Sequence, residues 1–524
     1  MSTSTLPAEL FIQIFRILDA KTLIRCCSIC RLWNELIQGT TELQYSIELL
    51  AEGMVRGDSQ PGPDAEMLQL LLTRRRAWKG LEWTSKTTVG IERLSLCIWE
   101  LVAGVLVEQQ KQNASFLTVA LARDNDPVVE RSHTSPFDMW DLRDLIIDPT
   151  QDLILRFFAP IDQHAYIVCQ TLSTEGHHPL AAEPIISFDL GRLTTNSYVA
   201  MDLADDIVSV YFPRPPYSFH LLNWKTGMEI VKIRGDVSTE STLSRSAADF
   251  HLLSPRSYIF AHAPSPQTPT AAAGGQIDLF TFDGDRFNVP ALAATLELPK
   301  TFPGTGLLSA SIIAGAFCAN PVAGAGTPFS KSNEHRIFLF NLCYDFPYWF
   351  YLFVPFRAFH RYIVDFARDG QVQVESWTDW GPQNSRMLEG LQQSSHRQVH
   401  GERVVLSNEA LGRGFVEVLD FGAAAQRRTV ARTPAFDDPE SDASPSPPPS
   451  PASSSSCATQ IEVHLEPSVL ASEGVFVDTI ITDLPYSSAV RRLDPDSDEF
   501  ALDQDRLFAF TRAGLYPEVT VYTF

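Results

Sequence analysis

IVSVYFPRPPYSFHLLNWKTGMEIVKI, residues 207–233, reads as three short strands. Ile207–Phe212, Ser218–Trp224 and Glu229–Ile233 are runs of β-branched, aliphatic and aromatic residues. Pro213-Arg214-Pro215-Pro216 separates the first two, and Lys225-Thr226-Gly227 the last two; both are turn chemistry. The rhythm extends both ways. Upstream it gives Leu94–Ile98, Phe116–Ala120, Leu153–Phe157 and Tyr166–Thr171. Downstream it gives Tyr258–Ala261, Ile277–Phe282, Arg336–Asn341, Phe350–Val354, Arg403–Leu406, Phe415–Leu419, Ile461–Leu465, Leu507–Phe510 and Val519–Thr523. From about Val89 to the C-terminus the pattern therefore predicts an all-β region. The 35 Pro and 28 Gly fit many turns better than long helices. A hydrophobic content of 44% supplies a large core and excludes wholesale disorder. About 400 ordered β residues exceed what one sandwich holds, which favours a divergent β-propeller of roughly seven or eight blades.

Leu221-Leu222-Asn223-Trp224-Lys225-Thr226-Gly227 resembles the end of a WD-type propeller strand, where Trp-Asp precedes a turn closed by Gly. Phe338–Asn341 and Leu279–Gly284 read as equivalent strands of degenerate blades, although no clean 40-residue repeat appears. Leu507–Phe510 and Val519–Thr523 are expected to close the ring with a strand from near Leu94. Thr433–Thr459 interrupts the pattern with acidic residues, three Ser-Pro pairs and a serine run. It lacks the apolar content to offset ordering entropy and is expected to be a disordered insert, 433–459. It serves as a spacer or as a substrate for proline-directed kinases. Deleting Pro434–Ser456 is expected to move the thermal midpoint by less than roughly 5 °C; a larger loss would make it part of the core.

The first fifty residues follow period 3.6 instead. Leu6 to Leu18 carries Leu10, Phe11, Ile12, Ile14, Phe15, Ile17 and Leu18. Their arc spans roughly 220°, wider than the stripe of about 100° that one neighbour requires, so this helix meets two partners. Asp19 is a natural cap for a second helix to about Ile29, and a third runs from about Arg31 to Gln38. Three helices this short supply too little core to stand alone.

Leu6-Pro7-Ala8-Glu9-Leu10, Ile14-Phe15 with Leu18-Asp19, Leu23-Ile24-Arg25-Cys26, and Ile29-Cys30-Arg31-Leu32-Trp33 together resemble an F-box. The departure is Ile29 for the usual Val. The resemblance implies docking on the Skp-family adaptor of a cullin–RING (SCF-type) ubiquitin ligase. The adaptor-binding residues it implies are Leu6, Pro7, Leu10, Ile14, Leu18, Leu23, Cys30 and Trp33. Two bridging helices follow, Thr40–Met54 and Ala65 to about Trp78, with Arg74-Arg75-Arg76 near the second one's end. Those cations face the helix dipole and solvent, or form a localisation or acidic-partner patch. Tyr45–Leu49, and Arg76-Ala77-Trp78 with Trp83, also resemble the F-box proteins of mushroom-forming fungi.

The expected fold class is α+β multidomain: an F-box over 1–48, a helical linker over 49–88 and a β-propeller-like domain over 89–524. No nucleophile elbow, phosphate loop or zinc-protease motif is present, and Cys27-x-x-Cys30 lacks the second pair that structural zinc needs. No enzyme activity, cofactor or metal is expected. With 41 basic against 63 acidic residues, the net charge of −22 disfavours nucleic acid. No apolar run reaches the roughly 18 residues of a membrane span. A protein of the cytoplasm or nucleus is expected, with the Skp-family adaptor, the cullin–RING core and an unknown protein substrate as partners. The alternatives are an F-box protein in a non-ligase assembly and a propeller-based binding protein or enzyme with no ubiquitin role.

Overall fold

The computed structural model describes residues 6–57, 62–90, 97–110, 115–120, 129–132, 141–160, 164–190, 199–213, 217–235, 247–263, 274–319, 328–344, 348–391, 397–407, 412, 414–422, 459–471, 474–493, 497–511 and 518–524. The chain opens with five helices: α1 (Ala8–Arg16), α2 (Ala20–Cys27), α3 (Arg31–Gly39), α4 (Thr41–Ala51) and α5 (Asp64–Gly80). Asp19 caps α2 as its side chain predicts, accepting from the Thr22 N–H at 3.0 Å. Gly39, expected just past α3, is its last helical residue; Thr40 turns the chain in extended geometry instead. Between α4 and α5, Met54–Arg56 pairs antiparallel with Phe329–Lys331, which ties the helices to the β region.

Seven sheets of four or five strands follow, each built mainly from consecutive antiparallel neighbours. They span 97–132, 142–189, 200–235, 247–297, 307–389 and 399–492, with the seventh at 497–523. Each sheet packs on the next through an apolar layer. Phe157 and Phe188 of blade 2 meet Phe212 and Trp224 of blade 3, and Tyr211 and Phe219 of blade 3 meet Phe250 and Phe260 of blade 4. Phe353 of blade 5 meets Phe421 and Tyr486 of blade 6. The last layer joins blade 7 to blade 1, through Phe508, Phe510 and Val521 against Leu101 and Leu106. The ring is thus a seven-bladed β-propeller. Its closure is a three-plus-one sheet: Ser497–Leu502, Arg506–Thr511 and Glu518–Thr523, with the N-terminal Ser85–Gly90 paired outside Glu518–Thr523. The closing strand therefore lies upstream of the Leu94 region expected to supply it. Cys97–Val102 is the innermost strand of blade 1 instead, and residues 91–96 lie outside the described residues.

Trp224 sits fully buried at the end of Tyr217–Asn223, its indole N–H donating to the Asp205 carbonyl at 2.7 Å. Gly227 closes the turn at φ +74°, and its N–H donates to the Asn223 carbonyl. Leu279–Gly284 begins in the equivalent third strand of blade 4, whereas Phe338–Asn341 lies in the second strand of blade 5 and is not equivalent. Blade 5 holds two helices the strand pattern did not announce, α6 (Phe356–Asp369) and α7 (Trp377–Asn384). Gln373–Glu375 between them adds in parallel to the outer edge of blade 4.

The innermost strands of blades 3 and 4 share a device. Asp202 accepts from its own neighbour Leu203 N–H at 2.8 Å and from Leu252 N–H of the next blade at 2.7 Å. Asp249 does the same with Phe250 at 2.9 Å and Ile312 of the following blade at 2.8 Å. These carboxylates satisfy backbone donors around the axis that no ladder reaches. Residues 315–319 then cross the axis. Ala316 and Cys318 pack on the layer between blades 1 and 2, and Phe317 on that between blades 3 and 4. Ala319 N–H donates to Asp148 of blade 2 at 3.2 Å. The axis is therefore spanned on the side that carries the helices. The insert 433–459 lies outside the described residues except for Thr459, whose hydroxyl donates to the Gly80 carbonyl at 2.8 Å.

Candidate protein-docking site

The helical unit is two-sided, as the arc of α1 requires. Inward, Phe15 makes an edge contact with Trp33 at 5.4 Å and joins Leu23, Cys26 and Ile37 against Leu43 and Ile47 of α4. Outward, Leu6, Leu10, Ile14, Ile17, Ile24, Ile29 and Leu32 are exposed, Ile17 to 82%. Pro7 and Cys30 lie on the exposed side with them. Soluble monomers seldom leave so many large aliphatic side chains in so small a unit uncovered. Of the eight residues expected to bind an adaptor, Leu6, Pro7, Leu10, Ile14 and Cys30 are on this surface. Leu18 and Trp33 are half-buried against the core, and Leu23 is 1% exposed. Leu23 is therefore a core residue, corrected from the docking set: the second helix turns it toward Phe15. Ile17, Ile24, Ile29 and Leu32 were missed as surface residues, because periodicity does not say which of two apolar faces is covered.

The unit is fixed to the ring through α4 and α5. Tyr45, Leu49, Met54 and Leu71 close over Phe329, on the short strand that pairs with Met54–Arg56. Trp78 stacks on Phe524 at 4.0 Å with the Arg403 guanidinium over its ring, and Trp83 meets Tyr522 at 4.8 Å with the Arg491 guanidinium over the Trp83 ring. The Arg74-Arg75-Arg76 run is neither a solvated end nor a free patch. Arg74 is buried, pairs with Asp505 and donates to the Gln504 carbonyl in the first turn of blade 7. Arg75 bridges Glu48 at 2.7 Å and also Glu52 on α4. Only Arg76 faces water. Lys331, on the same short strand as Phe329, donates to the Glu52 carbonyl at 2.6 Å.

This clasp concentrates buried charge where blades 5, 6 and 7 meet the helices. Burial, with Lys331, Arg74 and Arg403 nearby, pushes His400 down to about 3, so it is neutral at physiological pH. Burial pushes the Asp503 carboxyl up to about 6, against the opposing pull of its Gln504 backbone donor. An unfolded Asp titrates near 3.9, so folding favours the protonated form. That contribution is complete below about pH 4 and is lost as pH rises through 6. At pH 7.5 the ionised side chain costs on the order of 3 kcal/mol. Asp503→Asn should therefore gain on the wild type as denaturant melts move from pH 4 to 7.5. A difference that stays flat across that range contradicts the assignment.

One arrangement resembles catalytic chemistry. On blade 3 the Ser218 hydroxyl lies 2.6 Å from His220 Nε2, and His220 Nδ1 lies 2.7 Å from Glu229. The order is that of a nucleophilic triad, but Ser218 is 1% exposed and His220 is buried between blades. A substrate has no approach, and the three side chains satisfy one another inside the wall. Among the described residues no group of three or more His, Cys, Asp or Glu side chains is placed to hold a metal, and no helix is long and apolar enough to cross a membrane.

Residues 3–47 match the F-box-like family model. No curated protein matches the sequence. Among solved structures, the N-terminal domain of Nup159 is similar at 8% identity, covering 84% of this chain and 95% of that one, with a TM-score of 0.33. The C-terminal WD40 domain of Sif2 is similar at 8% identity (84% and 98% coverage, TM-score 0.33). The WD40 domain of SCAP from fission yeast is similar at 7% (84% and 98%, TM-score 0.30). At such scores they add nothing to the fold, which strand order and inter-blade packing define.

Proposed function

We propose that this protein is a non-catalytic, substrate-recruiting adaptor of an SCF-type cullin–RING ubiquitin ligase. The F-box-like helices bind a Skp-family adaptor and the propeller binds the target. The observation that carries this reading is the uncovered aliphatic face of α1–α3 within a segment that matches the F-box-like family, on a unit clasped to a seven-bladed ring. Tyr45, Trp78 and Trp83, which lie in the stretches resembling the F-box proteins of mushroom-forming fungi, belong to that clasp. A fixed angle between adaptor and ring places a bound target near the ubiquitin-charged enzyme, raising its effective concentration there.

The test is affinity purification of the full chain with and without proteasome inhibition. The Skp-family adaptor and a cullin should be recovered in both, and ubiquitin-modified partners should accumulate only with inhibition. Recovery of the adaptor without any cullin would place the protein in a non-ligase assembly.

A further inference from the structure

Blade 6 carries more chain than a four-stranded blade needs. Its first four strands in sheet order, ending with Tyr486–Arg492, complete the template, and Gln460–His464 is added outside them. Gln460–His464 pairs with Tyr486–Arg492, and Ser468–Leu470 pairs with Ile480–Thr482. The two ladders share one register: Gln460 opposes Val490, His464 opposes Tyr486, Ser468 opposes Thr482 and Leu470 opposes Ile480. The two ladders thus continue one register, and along their paired residues side chains alternate faces without a slip.

On the inner strand the even-numbered Thr482, Leu484, Tyr486 and Ser488 are buried, whereas on Gln460–His464 the even-numbered Gln460 and Glu462 are exposed polar residues and only His464 is half-buried. On the other face lie Ile461, Val463, Leu465, Val469 and Ile481, all exposed, Val469 to 64% and directly opposite Ile481. Gln460–His464 is the last strand of its sheet, and no further strand pairs with it among the described residues. Among the described residues its outer backbone groups have no strand partner, and an aliphatic stripe runs beside them. Long apolar edges are normally blunted because they accept another strand.

The stripe starts at a cleft of about 60 Å³ between blade 6 and α5, lined by Ile461 and Val463 together with Trp78 and Lys79. Lys79 is exposed in the last turn of α5 and has no ion-pair partner among the described residues. Glu52, Arg75, Arg403 and Asp420 also line the cleft and pair with one another, so an occupant whose end reaches it meets the Lys79 ammonium as the charge without a partner among the described residues.

We propose that the outer edge of blade 6 recruits an extended segment of the target protein by strand addition. The segment carries aliphatic residues at alternate positions and a carboxylate at the end that meets Lys79. This rests on the reading of the ring as the target-binding half, but it is independent of the adaptor. Main-chain hydrogen bonds to Gln460–His464 supply affinity, and the stripe selects alternate side chains.

The experiment uses the full chain and fluorescein-labelled ten-residue peptides of alternating valine and threonine. One ends in two glutamates, one in two lysines, and a third carries a central proline. Fluorescence anisotropy should show the glutamate peptide binding at least tenfold tighter than the other two. Hydrogen exchange should show slowed amides in Gln460–His464 on binding. Val469→Lys with Ile481→Lys should weaken binding tenfold or more. Lys79→Glu, at an exposed site that leaves folding intact, should reverse the charge preference. Equal binding of the proline peptide overturns the proposal, as does no binding by the wild type. Binding that emerges only after deletion of residues 434–456 overturns it in favour of the chain's own segment as occupant. A concentration-dependent dimer, abolished by the double lysine variant, overturns it in favour of a second copy. Adaptor binding, measured on the same samples, reports separately on the F-box reading.

Discussion

Removing the last seven residues, Glu518–Phe524, is expected to unfold the ring. Glu518–Thr523 is the third strand of blade 7 and pairs on both sides, with Arg506–Thr511 and with Ser85–Gly90. Val519, Val521 and Tyr522 are buried, and Phe524 carries the stack on Trp78. Burying three such side chains contributes on the order of 5 kcal/mol or more, against a total stability of about 5–15 kcal/mol for a typical domain. The truncation also opens two strand edges, which invites aggregation. Limited proteolysis of the truncated protein should show rapid digestion of the β domain. Resistance equal to that of the full chain would mean that the ring does not depend on its closure.

Arg74→Ala should separate the helical unit from the ring. The guanidinium is buried and joins the partly buried Asp505 carboxylate and the Gln504 carbonyl, so its loss removes a charged donor from both. Breaking a buried pair from one side costs about 3–5 kcal/mol. The loss should fall on the junction: hydrogen exchange should accelerate in α4 and α5 while the blade 2–3 layer stays protected. Arg76→Ala, two positions along but facing water, should change stability by less than about 0.5 kcal/mol. Equal effects of the two substitutions would contradict the clasp.

The helical start was legible because its signals are local: a capping Asp19, fixed motif spacings and a double apolar face within forty residues. The terminal strand was legible too, since Val519–Thr523 has strand composition at the chain end. What composition hid was the innermost strand of almost every blade. Leu142–Asp148, Ala200–Ala204, Ala247–Ser254 and Ser497–Leu502 carry carboxylates where a strand pattern expects apolar residues, and register shifts break the alternation at Asp144, Asp249 and Glu499. Asp202 and Asp249 cap donors of the next blade, a role no local window reveals. Helix α6 was hidden because Tyr348–Pro355 runs into it with no turn between. The clasp was illegible for another reason. Arg74 and Asp505 lie at opposite ends of the chain, and nothing near Arg74 in sequence marks it as buried.

The exposed face of α1 bears the central claim. Ile14→Asp with Ile17→Asp alters two side chains that touch little of the fold. Calorimetric titration of purified Skp-family adaptor into this double variant should show at least a hundredfold loss of affinity. The melting midpoint and the resistance of the β domain to protease should match the wild type. Undiminished adaptor binding by a folded Ile14→Asp, Ile17→Asp protein would contradict the assignment of this surface and the ligase reading built on it.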